Sequence, residues 1–273
     1  MAEIVTNVSE ALARAGGPPP PAACYVYCVA PCRSGASLGP IGIEGREVHA
    51  VTYRDLCALV HLCPSDLYPS EDSDLLARWV LAHHRVVEAA WKLWGTVLPV
   101  NFNTLLSGEH PERAMENVKD WLAADYSRLR AKLEALERKA EWGVQLWGDA
   151  KLIGQQVAEA TPELQRLREE LRSKPAGLAY MYRQKLELEV KRASEAKTVE
   201  EVKNLYERLS SLVDRIHVEK TRREEGGRRV LLDLSCLAPM QQSWTLPEEL
   251  NRLPLAPGFS LRFTGPLPPY SFC

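Results

Sequence analysis

The chain has 273 residues, enough for two ordinary domains, and its 45% hydrophobic and 26% charged residues match a globular protein with a sizeable core. A formal net charge of −2 gives no whole-chain attraction to nucleic acid or to an anionic membrane. No apolar run approaches the roughly 20 residues that span a bilayer. Residues 1–21, MAEIVTNVSEALARAGGPPPP, lack the basic-then-apolar order of a secretory signal and read as a mobile leader, a short weak helix followed by a polyproline spacer. The seven cysteines are odd in number and poorly spaced for zinc, which suggests free thiols in a reducing cytoplasm.

The first element after the leader is CYVYCVAP, β-branched and aromatic and stopped by Pro31, so residues 24–30 are expected to form a strand. RSGASLGPIGIEG is dense in Gly and Pro and reads as a loop. EVHAVTY and LCALVHLCP around Arg54-Asp55 predict a hairpin, 47–53 with 56–62. Asp72 or Ser73 caps a helix over 74–94 whose apolar stripe is Leu76, Trp79, His83, Val87, Ala90 and Trp94, and Gly95 ends it. TVLPVNF is a short strand bearing a proline, hence an edge or a strand end. GEHPERAMENVKDWLAADYSRLRAKLEALERK predicts one long helix burying Met115, Val118, Leu122, Leu129, Leu133 and Leu136. These elements make a first α+β domain over 22–138.

EWGVQLWG opens the second half as a strand near 141–147. Thr161-Pro162-Glu163 and Lys174-Pro175-Ala176-Gly177 break the helical region into 150–160, 162–173 and 177–213. RIHVEKTRR and RRVLLDLSCLAP flank Glu224-Glu225-Gly226-Gly227, a hairpin signature with strands near 215–222 and 228–236. TLPEELNRL is a short helix and FSLRF the last strand. The order β–α–β–β–α–β describes a ferredoxin-like unit with inserted helices over 139–264, followed by a Pro-rich aromatic tail, 265–273.

Little here has the spacing of chemistry. His84 and Glu88 lie one turn apart, but no third metal ligand is evident, so a surface ion pair is the simpler reading, with His83 in the core. Glu169-Glu170, Glu200-Glu201 and Glu248-Glu249 sit among mixed charges and read as solvated helix faces. No nucleophile elbow and no phosphate loop occurs. Catalytic, metal and cofactor residues are therefore none. Lys220 to Arg229, KTRREEGGRR, is basic, and with a ferredoxin-like sheet it supports an alternative reading as a nucleic-acid-binding protein. VLLDLSCL offers no stacking rings, however, and two glutamates dilute the charge. Val199, Val202, Leu205, Tyr206, Leu209 and Val213 form an amphipathic stripe, expected to be core first and interface second.

Several stretches together resemble the gas vesicle protein GvpF/GvpL family: CYVYCVAP, GIEGREVHAVTYRDLCALV, AHHRVVEAAW, VLPVNFNTLL, EWGVQLW, PAGLAYMYRQK and the terminal FTGPLPPYSF, in the family's order. Family members commonly end in a TGPWPPYSF-like sequence. Leu267 stands where the family usually has tryptophan, and Asn103 where glycine is common. The resemblance implies a two-domain α+β protein whose C-terminal domain is a modified ferredoxin-like fold with an extended tail. It implies a non-enzymatic structural or assembly protein of gas vesicles, in the vesicle and the cytoplasm. Its partners would be the gas vesicle shell protein and other accessory proteins, with neither nucleic acid nor membrane, and its place could include the gas-facing surface of the shell.

The tail itself, RFTGPLPPYSFC, is stiff. Pro266, Pro268 and Pro269 restrict φ and remove three donors, so it is expected to leave the sheet at Phe263 as polyproline II, turning at Gly265. Tyr270 and Phe272 then ride on an arm with little entropy left to lose. Self-docking as a staple is favoured over docking on a partner, because paired exposed aromatics are a liability in a monomer. Pro266, Pro268, Pro269, Tyr270 and Phe272 are accordingly the partner-binding candidates.

Overall fold

The first strand, β1 (Ala22–Pro31), is almost continuously apolar, and it is buried along nearly its whole length. A strand with no polar alternation needs cover on both faces. The computed structural model supplies it, describing residues 22–31, 37–65, 68, 71–220, 223–242 and 245–273. The expected leader, residues 1–21, lies outside the described residues, as does part of the loop after Pro31.

β1 lies between β4 (Leu56–Pro64) and two short strands, β5 (Leu98–Pro99) and β6 (Leu105–Gly108), all antiparallel to it. Beyond β4 come β3 (Val48–Tyr53) and the edge strand β2 (Ser37–Gly39). The β3–β4 hairpin turns through Arg54 and Asp55, with Arg54 at φ +54°. Helix α1 (Ser73–Trp94) buries Trp79, His83, Val86, Val87, Ala90 and Trp91. Trp79, Val86, Val87, Ala90 and Trp91 share one core with Ala23, Tyr25 and Tyr27 of β1. The alternate residues Cys24 and Val26 are equally inaccessible, and α2 (Pro111–Ala124) packs against β1, β3 and β4. β6 was not foreseen: LLSG carries no strand pattern of its own, and its bonds go to the start of β1.

The long helix expected after Gly108 is two helices, α2 and α3 (Tyr126–Ala135). They meet at Asp125, whose φ −98° and ψ 6° leave the helical well. The apolar period survives the interruption, with Val118, Leu122, Leu129, Leu133 and Leu136 all buried.

The described residues divide into two units, one running to Ala140 together with Leu267–Cys273, the other Glu141–Pro266. In the second, strand order is β11 (Phe259–Leu267), β7 (Lys139–Asp149), β10 (Arg228–Pro239), β8 (Arg215–Val218), with β9 (Glu224–Glu225) paired to β10. Gly226 and Gly227 turn the β9–β10 hairpin at φ +56° and +78°, as its Glu-Glu-Gly-Gly sequence suggested. Three consecutive helices follow β7: α4 (Ala150–Ala160), α5 (Pro162–Ser173) and α6 (Ala176–Ser210). Asp149 caps α4 by accepting from the Lys151 and Leu152 amides, both at 3.0 Å. Trp142, Val144 and Leu146 of β7, Leu234 and Cys236 of β10, and Leu205 and Leu209 of α6 share the core with α7 (Thr245–Asn251).

The tail departs from expectation. β11 does not stop at Phe263 but runs through Pro266 to Leu267, and only then does a 3₁₀ turn form at Tyr270–Phe272. β11 is an edge strand, so a proline without an N–H can sit in it with its missing donor turned away from the ladder.

Candidate functional site

Three features fix the course of the tail. Gly265 has φ +143°, and a Cβ there would lie 2.8 Å from the Trp142 ring, so both backbone and space demand glycine. Pro268 and Pro269 are buried, and the Tyr270 amide donates to the Pro268 carbonyl at 2.9 Å. Phe272 is 8% exposed. Half-buried Tyr270 stacks on His84 of α1, ring centroids 5.4 Å apart and planes 28° apart, and its hydroxyl lies 2.9 Å from His84 Nδ1. Of the five candidate residues, Pro266 alone is exposed.

His84 therefore does not pair with Glu88. Lys92 holds Glu88 at 2.6 Å and keeps its carboxyl below the usual range, chiefly through that hydrogen bond. His83, one residue away, points into the core, its Nδ1 2.9 Å from the Tyr25 hydroxyl. A second histidine, His61, lies 2.7 Å from the Tyr27 hydroxyl through Nδ1 and 2.9 Å from the Tyr68 hydroxyl through Nε2. Burial dominates the titration of both rings, lowering His61 to about 3 and His83 to about 4, so each is neutral at neutral pH. The same burial raises the Tyr25 and Tyr27 phenols and takes Tyr68 to about 12. These groups are frozen as neutral donors and acceptors, the opposite of what proton transfer at neutral pH requires.

Asn103 closes the network. It sits at φ +65°, in the left-handed region where asparagine is the usual stand-in for glycine. Its amide nitrogen on the backbone donates to the Tyr25 hydroxyl at 3.1 Å, and its side chain exchanges two 3.3 Å bonds with the Tyr68 backbone. The departure from glycine is thus conformationally matched.

Elsewhere, two of the three carboxylate pairs, Glu200-Glu201 and Glu248-Glu249, are engaged by cations. Lys197 meets Glu200 and Glu201 at 3.1 and 3.2 Å, and Arg208 and Arg252 meet Glu249 and Glu248. Among the described residues no group of three or more His, Cys, Asp and Glu is placed to hold a metal ion. The described part of the basic cluster is an exposed hairpin in which Arg228 and Arg229 register against Glu225 and Glu224. A cavity of about 700 Å³ opens between α4, α6 and β10, floored by Ile153, Val190 and Leu231. No helix among the described residues is long and apolar enough to cross a membrane.

Fold and site together define a mixed helix-and-sheet protein that keeps its aromatic C-terminus as part of its own core. The family model for gas vesicle synthesis protein GvpL/GvpF matches residues 23–273, and the chain belongs to that family. It is 29% identical to gas vesicle protein L2 of Halobacterium salinarum, over 91% of this chain and 90% of that protein. It is 26% identical to gas vesicle protein L1 of the same organism, over 91% and 89%. The crystal structure of gas vesicle protein GvpF from Microcystis aeruginosa shares the fold with a TM-score of 0.65 at 14% identity, covering 92% of this chain and 98% of that one. Membership ties the chain to a gas-vesicle-related role.

Proposed function

We propose that this chain is a non-enzymatic structural or assembly protein of gas vesicles that binds the shell protein and other accessory components as vesicles form. The observation that carries this reading is the family match across residues 23–273. The neutral, hydrogen-bonded state of the buried tyrosines and histidines agrees with a binding role, since nothing in that network is poised to titrate near neutrality. Recognition then rests on shape and apolar contact. A shell subunit with open sheet edges must be covered before it polymerises, and a partner that masks such edges prevents wrong pairing.

Within this reading the chain works at the vesicle and in the surrounding cytoplasm. The domains are 22–138 and 139–264, with the tail 265–273. The second is ferredoxin-like, a reading that the strand order β11-β7-β10-β8 supports. The tail is a partner-binding element held in preset geometry. Pro266 and the outer edge of Tyr270 meet the partner, while Pro268, Pro269 and Phe272 hold the arm in place.

The test is a pull-down of the shell protein by the intact chain and by a chain ending at Pro266, with circular dichroism to confirm folding. Retention of the shell protein by the intact chain is expected, and weaker retention by the shortened one. Failure of the intact chain to retain any vesicle component would overturn the assembly reading. Equal retention by both chains would remove the tail from it.

A further inference from the structure

α6 is the longest helix among the described residues, and some of its apolar residues are buried while others are exposed. Leu205 and Leu209 are buried in the core of the second unit. Met181, Leu188, Val199 and Tyr206 are not: they are 65%, 48%, 67% and 41% exposed. Their spacings are 7, 11 and 7 residues (188 − 181, 199 − 188, 206 − 199). At 100° per residue each step closes to within about 20° of whole turns, so the four side chains form one straight stripe about 38 Å long. An exposed apolar stripe of this length marks an interaction surface.

We infer that this stripe is a self-association surface, pairing α6 with α6 of a second copy of this chain, parallel and about a two-fold axis. The charges favour that occupant. Arg192 and Glu195 lie in the gap between Leu188 and Val199, about 30° to opposite sides of the stripe. A two-fold axis running along the seam brings each Arg192 beside the second copy's Glu195, about 4.5 Å along the helix. The patch thus supplies its own complement, as an isologous interface requires. An antiparallel pair aligned on the same four residues would instead set Lys185 beside the second copy's Lys203, like against like. Within its own helix Arg192 already meets Glu189 at 2.9 Å, but Arg192 is 64% exposed, so this pair holds the guanidinium only weakly against a second carboxylate.

The inference goes beyond the assembly reading and is tested on the full chain alone, so that either can fail without the other. Sedimentation velocity across a wide concentration range is expected to show a monomer–dimer equilibrium. Leu188→Glu and Val199→Glu should each abolish the dimer while leaving the circular dichroism spectrum unchanged, because both positions are exposed. Arg192→Glu should weaken the dimer severalfold, and adding Glu195→Arg in the same chain should restore it. A wild-type chain that stays monomeric throughout, a dimer that survives Leu188→Glu, or a charge exchange that fails to restore association would each overturn the inference. The first outcome combined with shell-protein capture lost in Leu188→Glu would reassign the stripe to that partner.

Discussion

His83 and His84 are neighbours in sequence and opposites in environment. One is 4% exposed against Tyr25, and the other faces the tail through Tyr270. Residue-scale predictions follow from both. Removing the hydroxyl in Tyr270→Phe should cost about 1 kcal/mol. Emptying the pocket in Phe272→Ala should cost about 3 kcal/mol. Chemical denaturation of the two variants separates the polar anchor from the apolar one. His61 and His83 also set a pH dependence. An unfolded imidazole titrates near about 6.5, whereas the folded values are about 3 and about 4. Above the unfolded value neither state binds protons at these rings. Below it the unfolded chain takes up protons that the folded chain refuses, so stability falls with falling pH by up to about 1.4 kcal/mol per unit for each ring. The loss levels off only as pH passes the folded values. Urea midpoints that stay constant between about pH 7 and about pH 5 would contradict this account.

At the scale of elements, the ends of α1 are the clearest case of local chemistry deciding structure. Asp72 accepts from the Asp74 and Leu75 amides at 2.9 and 3.1 Å, and Gly95 closes the helix at φ +76°. Asp72→Ala should cost about 1 kcal/mol through the lost cap. Gly95→Ala should cost about as much, because alanine is strained in the left-handed region. Thermal unfolding of both variants checks the pair, and an unchanged midpoint in either would remove that cap from the account. Because such signals reside within a few residues, the bounds of α1, α4 and α5 were legible in the sequence. β6 and the break at Asp125 were not. LLSG becomes a strand only because β1 offers unpaired bonds, and the apolar period of α2 runs on into α3 without a gap. The amphipathic stripe of α6 was legible in part. Leu205 and Leu209 are core, but Val199 and Tyr206 face outward, since position on the helix turn, not hydropathy, selects the face.

For the molecule as a whole, the tail is the decisive segment. Leu267–Cys273 belongs with the first unit although β11 begins in the second. A chain ending at Pro266 should therefore lose amide-exchange protection around His84 in α1, while protection in β7 and β10 holds. Uniform protection throughout would show that the tail contributes nothing to the first unit. The same truncation is the pull-down variant, so exchange data reveal whether any lost binding reflects a missing contact or a loosened core.

The sequence by itself determined the class of the protein. Its α+β element order, its helix caps, the Gly-Gly hairpin and the family motifs from CYVYCVAP to the terminal PPYSF are all written in short windows of chain. It also made the tail stiff, because proline constrains φ wherever it stands. Only the tertiary structure decided what that stiffness is for. Whether β11 ends at Phe263 or continues to Leu267 depends on its place at a sheet edge, where a proline is tolerated in a strand. Whether His84 meets Glu88 or Tyr270 depends on a contact 186 residues distant in sequence. Pairings of that range leave no local trace, since they are selected by which surfaces the packed elements bring together.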